Sequence, residues 1–117
     1  MQKLSVIIPV GNEIHNIKDV INSVKFADEI IVVDSYSNDG TYEEIKKMNV
    51  KVLRRKYEYS ASQKNWAIPQ AKHKWVLLLD ADERVAPELK KEVLSIINSN
   101  TDYSGFWIKR QNYFMGK

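Results

Sequence analysis

Residues 75–84 have the sequence WVLLLDADER, in which five apolar residues are followed directly by two aspartates two positions apart. Such a run is typical of a strand that is buried on both faces of a parallel sheet. Similar runs occur earlier, separated by segments of helical spacing, which indicates βαβ units and an α/β fold class with a Rossmann-like, mostly parallel open sheet and helices on both faces. The predicted strands are Leu4–Val10, Glu29–Asp34, Val50–Arg54 and Trp75–Asp80.

Four helices are predicted around these strands. Asn12 is the expected N-cap of the first, and Thr41 and Glu44 have capping-box spacing at the start of the second. Pro69 is expected to end or kink a third helix over residues 61–71, and Pro87 to open the fourth. Residues 103–114 are predicted to form a further strand that runs into a loop. The expected inward-facing residues of the first and fourth helices are Ile14, Ile17, Val20, Ile21, Val24, Leu89, Val93, Ile96 and Ile97.

The composition predicts one packed domain over residues 1–117. Apolar residues make up 44% of the chain and charged residues 28%, and there are no cysteines. The absence of cysteine excludes disulfides, thiolate zinc sites and thiol catalysis, and it agrees with a cytoplasmic location. Every apolar run is shorter than the roughly 20 residues that cross a bilayer.

Basic residues are concentrated in the second part of the chain. Residues 1–50 contain 5 basic and 8 acidic side chains, whereas residues 51–117 contain 13 and 7. This asymmetry is compatible with a phosphate-rich substrate, with peripheral association at the inner face of a membrane, or with an ordinary solvated surface. Nucleic-acid binding is not predicted, because the aromatic residues do not alternate with the basic ones.

Polar residues follow three of the predicted strands where each ends. Ligands of open parallel sheets bind outside the carboxyl ends of the strands, near the point where the strand order reverses. Right-handed crossovers would place Asp34 and Asp80 on either side of a crevice over the first strand. The sequence therefore predicts that a nucleoside diphosphate binds across this crevice.

Asp80 and Asp82 are candidates for a metal site. In an extended strand their carboxylates would point the same way, and two converging carboxylates repel each other unless a cation lies between them. Mg²⁺ or Mn²⁺ fits, because such hard ions take one or two carboxylates together with phosphate oxygens and water. The alternative is that Asp82 or Glu83 only caps the helix that begins near Pro87.

Other candidates have a structural and a functional interpretation. Asp34 is either a turn residue or an acceptor for a base or ribose. Glu13 either stabilises the first helix through its dipole or contacts the ligand. Lys64 either meets the diphosphate or is solvated.

Taken together, the motifs resemble those of family 2 GT-A glycosyltransferases, and within them the lipopolysaccharide core β-glucosyltransferase branch. The order and spacing match over almost the whole chain. The matching segments are SVIIP at 5–9 with Asn12-Glu13, IVVDS at 31–35 with SNDGT at 37–41, QKN at 63–65, LDADER at 79–84 and RQNYF at 110–114.

The resemblance implies transfer of a sugar from a nucleotide-diphospho-sugar, with a UDP-sugar as the expected donor, to a glycan or lipid-linked acceptor with inversion at the anomeric carbon. It implies that Asp34 contacts the base, Asp80 the ribose and Asp82 the metal. It also implies that the chain is the nucleotide-binding part of a longer kind of protein. The other residues assigned to the nucleotide site are Pro9, Val10, Glu13, Lys64 and Ala81.

No catalytic residue is predicted within the chain. An inverting transfer needs a general base near the attacking hydroxyl, and no residue after Asp102 is acidic. By resemblance the base belongs to the later part of family members. A non-catalytic nucleotide-binding or interaction domain is therefore the alternative, and a homodimer through the edge of the last strand is a further hypothesis.

Overall fold

The computed structural model describes residues 3–57, 60–98, 106–108 and 112–116, and these residues form a single sheet flanked by helices. The strands are β1 Leu4–Val10, β2 Glu29–Asp34, β3 Lys51–Arg54, β4 Trp75–Leu78, β5 Phe106–Ile108 and β6 Asn112–Gly116. Their order in the sheet is β3-β2-β1-β4-β6-β5. Strands β1 to β4 are parallel to one another, and β6 runs antiparallel to both β4 and β5. The helices are α1 Ile17–Ser23, α2 Thr41–Lys46, α3 Ser60–Ala67 and α4 Pro87–Asn98, and a 3₁₀ turn spans Ile68–Gln70.

Both faces of the sheet are covered, as the continuous apolar runs predict. Alternate residues of β1 point to opposite faces, so Val6 and Ile8 belong to one buried cluster and Ile7 to another. The first cluster includes buried residues of α1, α2 and α4, and the second includes Ala67 of α3. The predicted Rossmann-like sheet with helices on both faces is therefore confirmed.

Some predicted ends of the elements are correct. β1 and β2 have the predicted bounds, and β3 begins one residue later. The α-helix predicted over 61–71 spans Ser60–Ala67, so it ends before Pro69, as one of the two expected effects of that residue. Leu89, Val93 and Ile97 of α4 are buried, and Ile96 packs against them partly exposed. Within the described residues, no helix has both the length and the apolar character needed to cross a membrane.

Asp80 and Asp82 do not continue β4 as predicted. The strand ends at Leu78, and the chain then forms a turn in which the Glu83 N–H donates to the Asp80 carbonyl at 3.0 Å. The Glu83 carboxylate accepts the Asp80 N–H at 2.8 Å and so closes the turn from the other side. The prediction of an extended Asp80–Asp82 segment was wrong because this local pairing competes with the sheet.

Two predicted helix caps were also wrong. α1 begins at Ile17 with Asn16 at the N-cap position, and Asn12 lies in the preceding loop at φ 54°. α2 begins at Thr41 itself, directly after Gly40 at φ 97°, so Thr41 is inside the helix instead of capping it. In both cases the polar side chain makes a hydrogen bond to the neighbouring loop.

The last part of the chain contains two strands where one was predicted. Phe106–Ile108 pairs with Asn112–Gly116, which in turn pairs antiparallel with β4 along Trp75–Leu78. The prediction was wrong about Phe114, which lies within β6 and not in a loop. The rest of the predicted strand, at 103–105 and 109–111, lies outside the described residues.

Glu29 ties the amino end of β2 to its neighbours. Its Oε1 accepts hydrogen bonds from the Ser5 hydroxyl at 2.7 Å and from the Lys72 N–H at 2.9 Å. Burial is the largest single influence and raises the pKa of Glu29, but the two hydrogen bonds and the positive charges of His73 and Lys51 together outweigh it, so the pKa lies below its ordinary value of 4.5.

Glu29→Gln should therefore cost about 1 kcal/mol of unfolding free energy at pH 7, since a charged acceptor becomes neutral at a partly screened position. A carboxyl with a lowered pKa stabilises the fold fully above its unfolded pKa and loses this contribution as the pH falls through the folded value. The difference between wild type and Glu29→Gln should thus be constant at neutral pH and shrink below about pH 4.5. Urea unfolding at several pH values measures it, and a difference that grows on acidification would contradict the account.

Candidate functional site

A cleft of about 530 Å³ opens at the carboxyl ends of β1, β2 and β4, at the edge where the sequence predicts ligand binding. The strand order reverses around β1, because β2 follows on one side and β4 on the other. Another cleft, of about 480 Å³, lies near the amino ends of β2 and β3. The lining residues of the first cleft are Pro9, Val10, Gly11, Asn12, Glu13, Ser35, Tyr57, Asp80, Ala81 and Asp82.

Most of the predicted site residues line this cleft together. Asp34 and Lys64 are not part of its wall. Lys64 lies beside the wall, with its Nζ 3.9 Å from Oδ1 of Asp80. The predicted residues that do line the cleft are Pro9, Val10, Glu13, Asp80, Ala81 and Asp82.

Asp34 lies behind the cleft and is fully buried. One of its oxygens accepts a hydrogen bond from the Ser37 hydroxyl. The other accepts hydrogen bonds from the Ser37 N–H at 3.1 Å and from Nε of Arg54 at 3.2 Å. Arg54 is paired in register with Asp34 on the adjacent strand. The carboxylate therefore holds the start of the β2–α2 loop against β3.

Two tyrosines enclose the guanidinium of Arg54. Its Cζ lies 3.7 Å from the ring centroid of Tyr42 and 4.8 Å from that of Tyr36. Tyr36 is 58% exposed and has a φ of 55°, a left-handed conformation that is costly for a bulky residue. The cation–π contacts and the ion pair to Asp34 together fix Arg54 in place.

The β1–α1 and β2–α2 loops are joined by hydrogen bonds. The Asn12 N–H donates to the Ser37 hydroxyl at 2.9 Å, and the Glu13 N–H donates to the Thr41 hydroxyl at 3.0 Å. Asp39 accepts bonds from the Ile14 N–H and from Thr41. The side-chain hydrogen bond from Thr41 lowers the pKa of Asp39 below its ordinary value of 3.8. The charged carboxylate and the hydrogen bonds it accepts therefore persist into mildly acidic solution.

Arg84 holds the turn after β4 formed by residues 80–83, which we call the acidic turn. Its guanidinium donates to the carbonyls of Ala81 at 2.8 Å and Glu83 at 2.7 Å, and to Oδ1 of Asn16 at 2.9 Å. Asn16 in turn donates to the Glu13 carboxylate at 2.9 Å. Arg84 and Asn16 thereby connect the turn that contains Asp80 and Asp82 to Glu13 in the loop after β1, which lines the same cleft.

The family comparison agrees with this geometry. The sequence profile described as Glycosyl transferase family 2 matches residues 5–116. The chain belongs to glycosyl transferase family 2. The resemblance inferred from the motifs is thus confirmed.

The family 2 chain is similar to an uncharacterised glycosyltransferase of Rickettsia bellii, with 40% identity over 92% of this chain and 38% of the relative. It is also similar to the lipopolysaccharide core biosynthesis glycosyltransferase LpsC of Rhizobium meliloti, with 27% identity over 97% of this chain and 44% of LpsC. The chain thus spans about two fifths of the length of these curated relatives.

A solved structure has the same fold. Glucosyl-3-phosphoglycerate synthase from Mycobacterium tuberculosis, in complex with Mn²⁺, UDP and glucosyl-3-phosphoglycerate, superposes with a TM-score of 0.73 at 17% identity. The match covers 98% of this chain and 57% of the synthase. The family 2 chain therefore has a GT-A-type, Rossmann-like architecture.

Two exposed carboxylates at the cleft are the candidate metal ligands of this family 2 chain. Within the described part of the chain, no group of three or more His, Asp or Glu residues could enclose a metal ion. Asp80 and Asp82 are both exposed at the cleft. One or two exposed carboxylates beside a cleft fit Mg²⁺ or Mn²⁺ whose remaining ligands are phosphate oxygens and water.

Sequence reasoning missed four residues of the cleft of this family 2 chain. Gly11 and Asn12 stand between predicted site residues, so their position offered a signal. Ser35 follows Asp34, and Tyr57 lies three residues beyond β3. Ser35 is part of the IVVDS segment but has no predicted role, Tyr57 lies in none of the matching segments, and the positions of both depend on how separate loops meet.

Proposed function

We propose that the cleft binds a nucleoside diphosphate sugar together with Mg²⁺ or Mn²⁺, as the donor site of a hexosyl-transferring enzyme. The observation that carries the proposal is that Asp80 and Asp82 line the same cleft as the loops after β1 and β2. The solved synthase with the same fold was crystallised with UDP and Mn²⁺, which supports this donor class.

The acidic turn is the proposed diphosphate end of the site. Asp82 would hold the metal, Asp80 would contact the ribose, and Lys64 beside Asp80 would contact the diphosphate. When bound, the metal supplies positive charge that stabilises the diphosphate as a leaving group. Arg84 keeps the turn in place through the carbonyls of Ala81 and Glu83.

The other end of the cleft is the proposed nucleoside end. Pro9, Val10 and Glu13 lie in its wall, and Asp34 supports the wall from behind through Ser37. A direct contact between Asp34 and the base would require Arg54 and Ser37 to release its carboxylate. We therefore assign Asp34 a positioning role in the conformation described.

We propose that the transfer inverts the anomeric carbon. The attacking hydroxyl must then approach from the side opposite the diphosphate, where a general base removes its proton. By resemblance that base comes from a later part of family members. The likeness to LpsC supports a glycan acceptor such as a lipopolysaccharide core.

Calorimetric titration with UDP tests the donor site. Binding should require Mn²⁺ and should disappear when the metal is chelated. Addition of a UDP-sugar and candidate acceptors then distinguishes a complete enzyme from a donor-binding domain, because only the former releases UDP. Failure of every nucleoside diphosphate to bind with Mn²⁺ would overturn the proposal.

Tyr57 should contribute to this binding by stacking on the base. Its side chain is 55% exposed although it lines the cleft, and an exposed ring on a cleft wall is a natural platform for a flat base. Tyr57→Ala should weaken UDP binding about 5- to 10-fold, at the lower end of the range for base–aromatic stacking. Tyr57→Phe keeps the ring and should bind as wild type. Equal losses in both variants would show that the ring does not stack.

A further inference from the structure

Ser35 is the polar side chain of the cleft wall at the end of β2. It lies one residue beyond Asp34, whose carboxylate is buried and occupied by Ser37 and Arg54. The Ser35 N–H donates to the Val10 carbonyl at 3.0 Å, which holds its backbone against β1. Ser35 lines the cleft and Asp34 does not, so the side chain of Ser35 is the one that is accessible to a ligand at this edge.

The side chain of Gln63 contacts Ser35 from behind the wall. Gln63 is only 1% exposed, and its Nε2 lies 2.9 Å from Oγ of Ser35 and 3.5 Å from the carbonyl oxygen of Arg55. A carbonyl oxygen only accepts hydrogen bonds, so the Arg55 carbonyl favours the NH₂ group of Gln63 on this side over the amide oxygen. Gln63 consequently acts as the donor to Ser35.

This orientation determines which way the Ser35 hydroxyl points. An oxygen that accepts from Gln63 must direct its own hydrogen elsewhere, and among the described residues none accepts it. The cleft is the open side, because Ser35 lines it. Ser35 thus presents a hydrogen-bond donor to a ligand in the cleft.

A buried acceptor without a partner accompanies this arrangement. Among the described residues, Oε1 of Gln63 has no hydrogen-bond partner. Native folds leave few such groups, and those that remain call for an explanation. If the side-chain amide were turned over, Oε1 would lie at Ser35 and could accept the hydrogen of its hydroxyl. In the structure Nε2 occupies that position, and Oε1 faces away from Ser35.

We propose that Ser35 selects the nucleobase by donating its hydroxyl hydrogen to the position-4 carbonyl of uracil, with Gln63 as the positioning residue. This inference rests on the proposed donor site. If the metal-bound diphosphate lies at Asp82 and the ribose at Asp80, the base extends along the same cleft toward Ser35 and Tyr57. The edge of a pyrimidine farthest from the ribose is position 4, so that position reaches the Ser35 wall. Cytosine has an amino group there, which is itself a donor and cannot accept the hydroxyl hydrogen.

Titration of UDP and CDP in the presence of Mn²⁺ tests the inference, since the two bases differ at position 4. Wild type should bind UDP at least about tenfold more tightly than CDP, which corresponds to one good hydrogen bond. Ser35→Ala should reduce this preference to nearly equal affinities, and Ser35→Thr should restore it. Pyrophosphate with Mn²⁺ should bind wild type and Ser35→Ala equally, because it has no base.

Gln63→Glu gives a readout that a merely structural role would not produce. A carboxylate accepts the Ser35 hydroxyl hydrogen, so Ser35 then presents lone pairs to the base and the preference should shift toward CDP. Gln63→Met, which removes the restraint without adding charge, should give an intermediate preference and serves if Gln63→Glu fails to fold.

These titrations distinguish a failure of the role of Ser35 from a failure of the proposed donor site. Binding of both nucleotides with a preference unchanged by Ser35→Ala would overturn the role of Ser35 and leave the donor site intact. A parallel loss of pyrophosphate binding in Ser35→Ala would also overturn it, because the effect would not involve the base. Absence of any nucleotide binding in wild type would overturn the donor site and this inference together.

Discussion

Asp82→Ala should lower the affinity for UDP in the presence of Mn²⁺ by on the order of 100-fold, about 2.7 kcal/mol. Asp82 is exposed on the cleft wall in a turn held by Arg84, so its removal deletes a metal ligand without opening the core. In a site with few protein ligands, loss of one carboxylate removes much of the protein's hold on the metal. Calorimetry with and without Mn²⁺ measures the effect.

Asp19→Ala is the matched control for this experiment. Asp19 is exposed on α1 and is not part of the cleft wall, and its replacement changes the net charge by the same amount. It should bind UDP and Mn²⁺ as wild type. Similar losses in both variants would mean that the general charge of the chain, and not a site at Asp82, governs binding.

Asp34→Ala should reduce the unfolding free energy by about 3 kcal/mol. The buried carboxylate accepts both the N–H and the hydroxyl of Ser37 as well as Nε of Arg54, and all three donors would lose their partner. Arg54 has 32% of its side chain exposed and can regain water, so the cost should stay below the upper values for broken buried ion pairs. Urea unfolding at pH 7 gives the difference.

Asp28→Ala is a suitable comparison, because among the described residues its carboxylate accepts one hydrogen bond, from the Leu4 N–H, at an exposed position. Its replacement should cost less than about 1 kcal/mol. A loss in Asp34→Ala that is as small as in Asp28→Ala would show that Asp34 does not hold the β2–α2 loop. In that case Asp34 would be free to contact the base directly, as the family resemblance implies.

The sheet was predictable because its central strands are continuous apolar runs. β1 and β2 are covered on both faces, so burial alone specifies them, and their observed bounds equal the predicted ones. The end of β4 was less predictable, since the Asp80–Glu83 turn depends on a side-chain contact that an alternation pattern does not contain. The cleft at the carboxyl ends follows from the parallel topology itself.

The loops were harder to predict because their contacts link distant residues. Asn12 and Thr41 are good capping residues by type, yet Asn12 bonds with the loop after β2 and the backbone N–H of Glu13 donates to Thr41. Ser35 and Gln63 are 28 residues apart, so their hydrogen bond has no local signature. Residue type alone predicts a chemistry for the site, whereas the folded loops decide which side chains line the cleft.

Nuclear magnetic resonance with Mn²⁺ tests the central claim most directly, because a paramagnetic ion broadens the amide signals of residues close to it. With UDP and Mn²⁺ together, the signals of Gly11, Asp82 and Glu83 should broaden, whereas those of Asp28 and Asn49 at the other cleft should stay sharp. Mg²⁺ in place of Mn²⁺ should leave all signals sharp. Broadening centred on Asp28 and Asn49, or broadening at Asp82 that is the same without UDP, would contradict a nucleotide–metal site at the carboxyl ends of the strands.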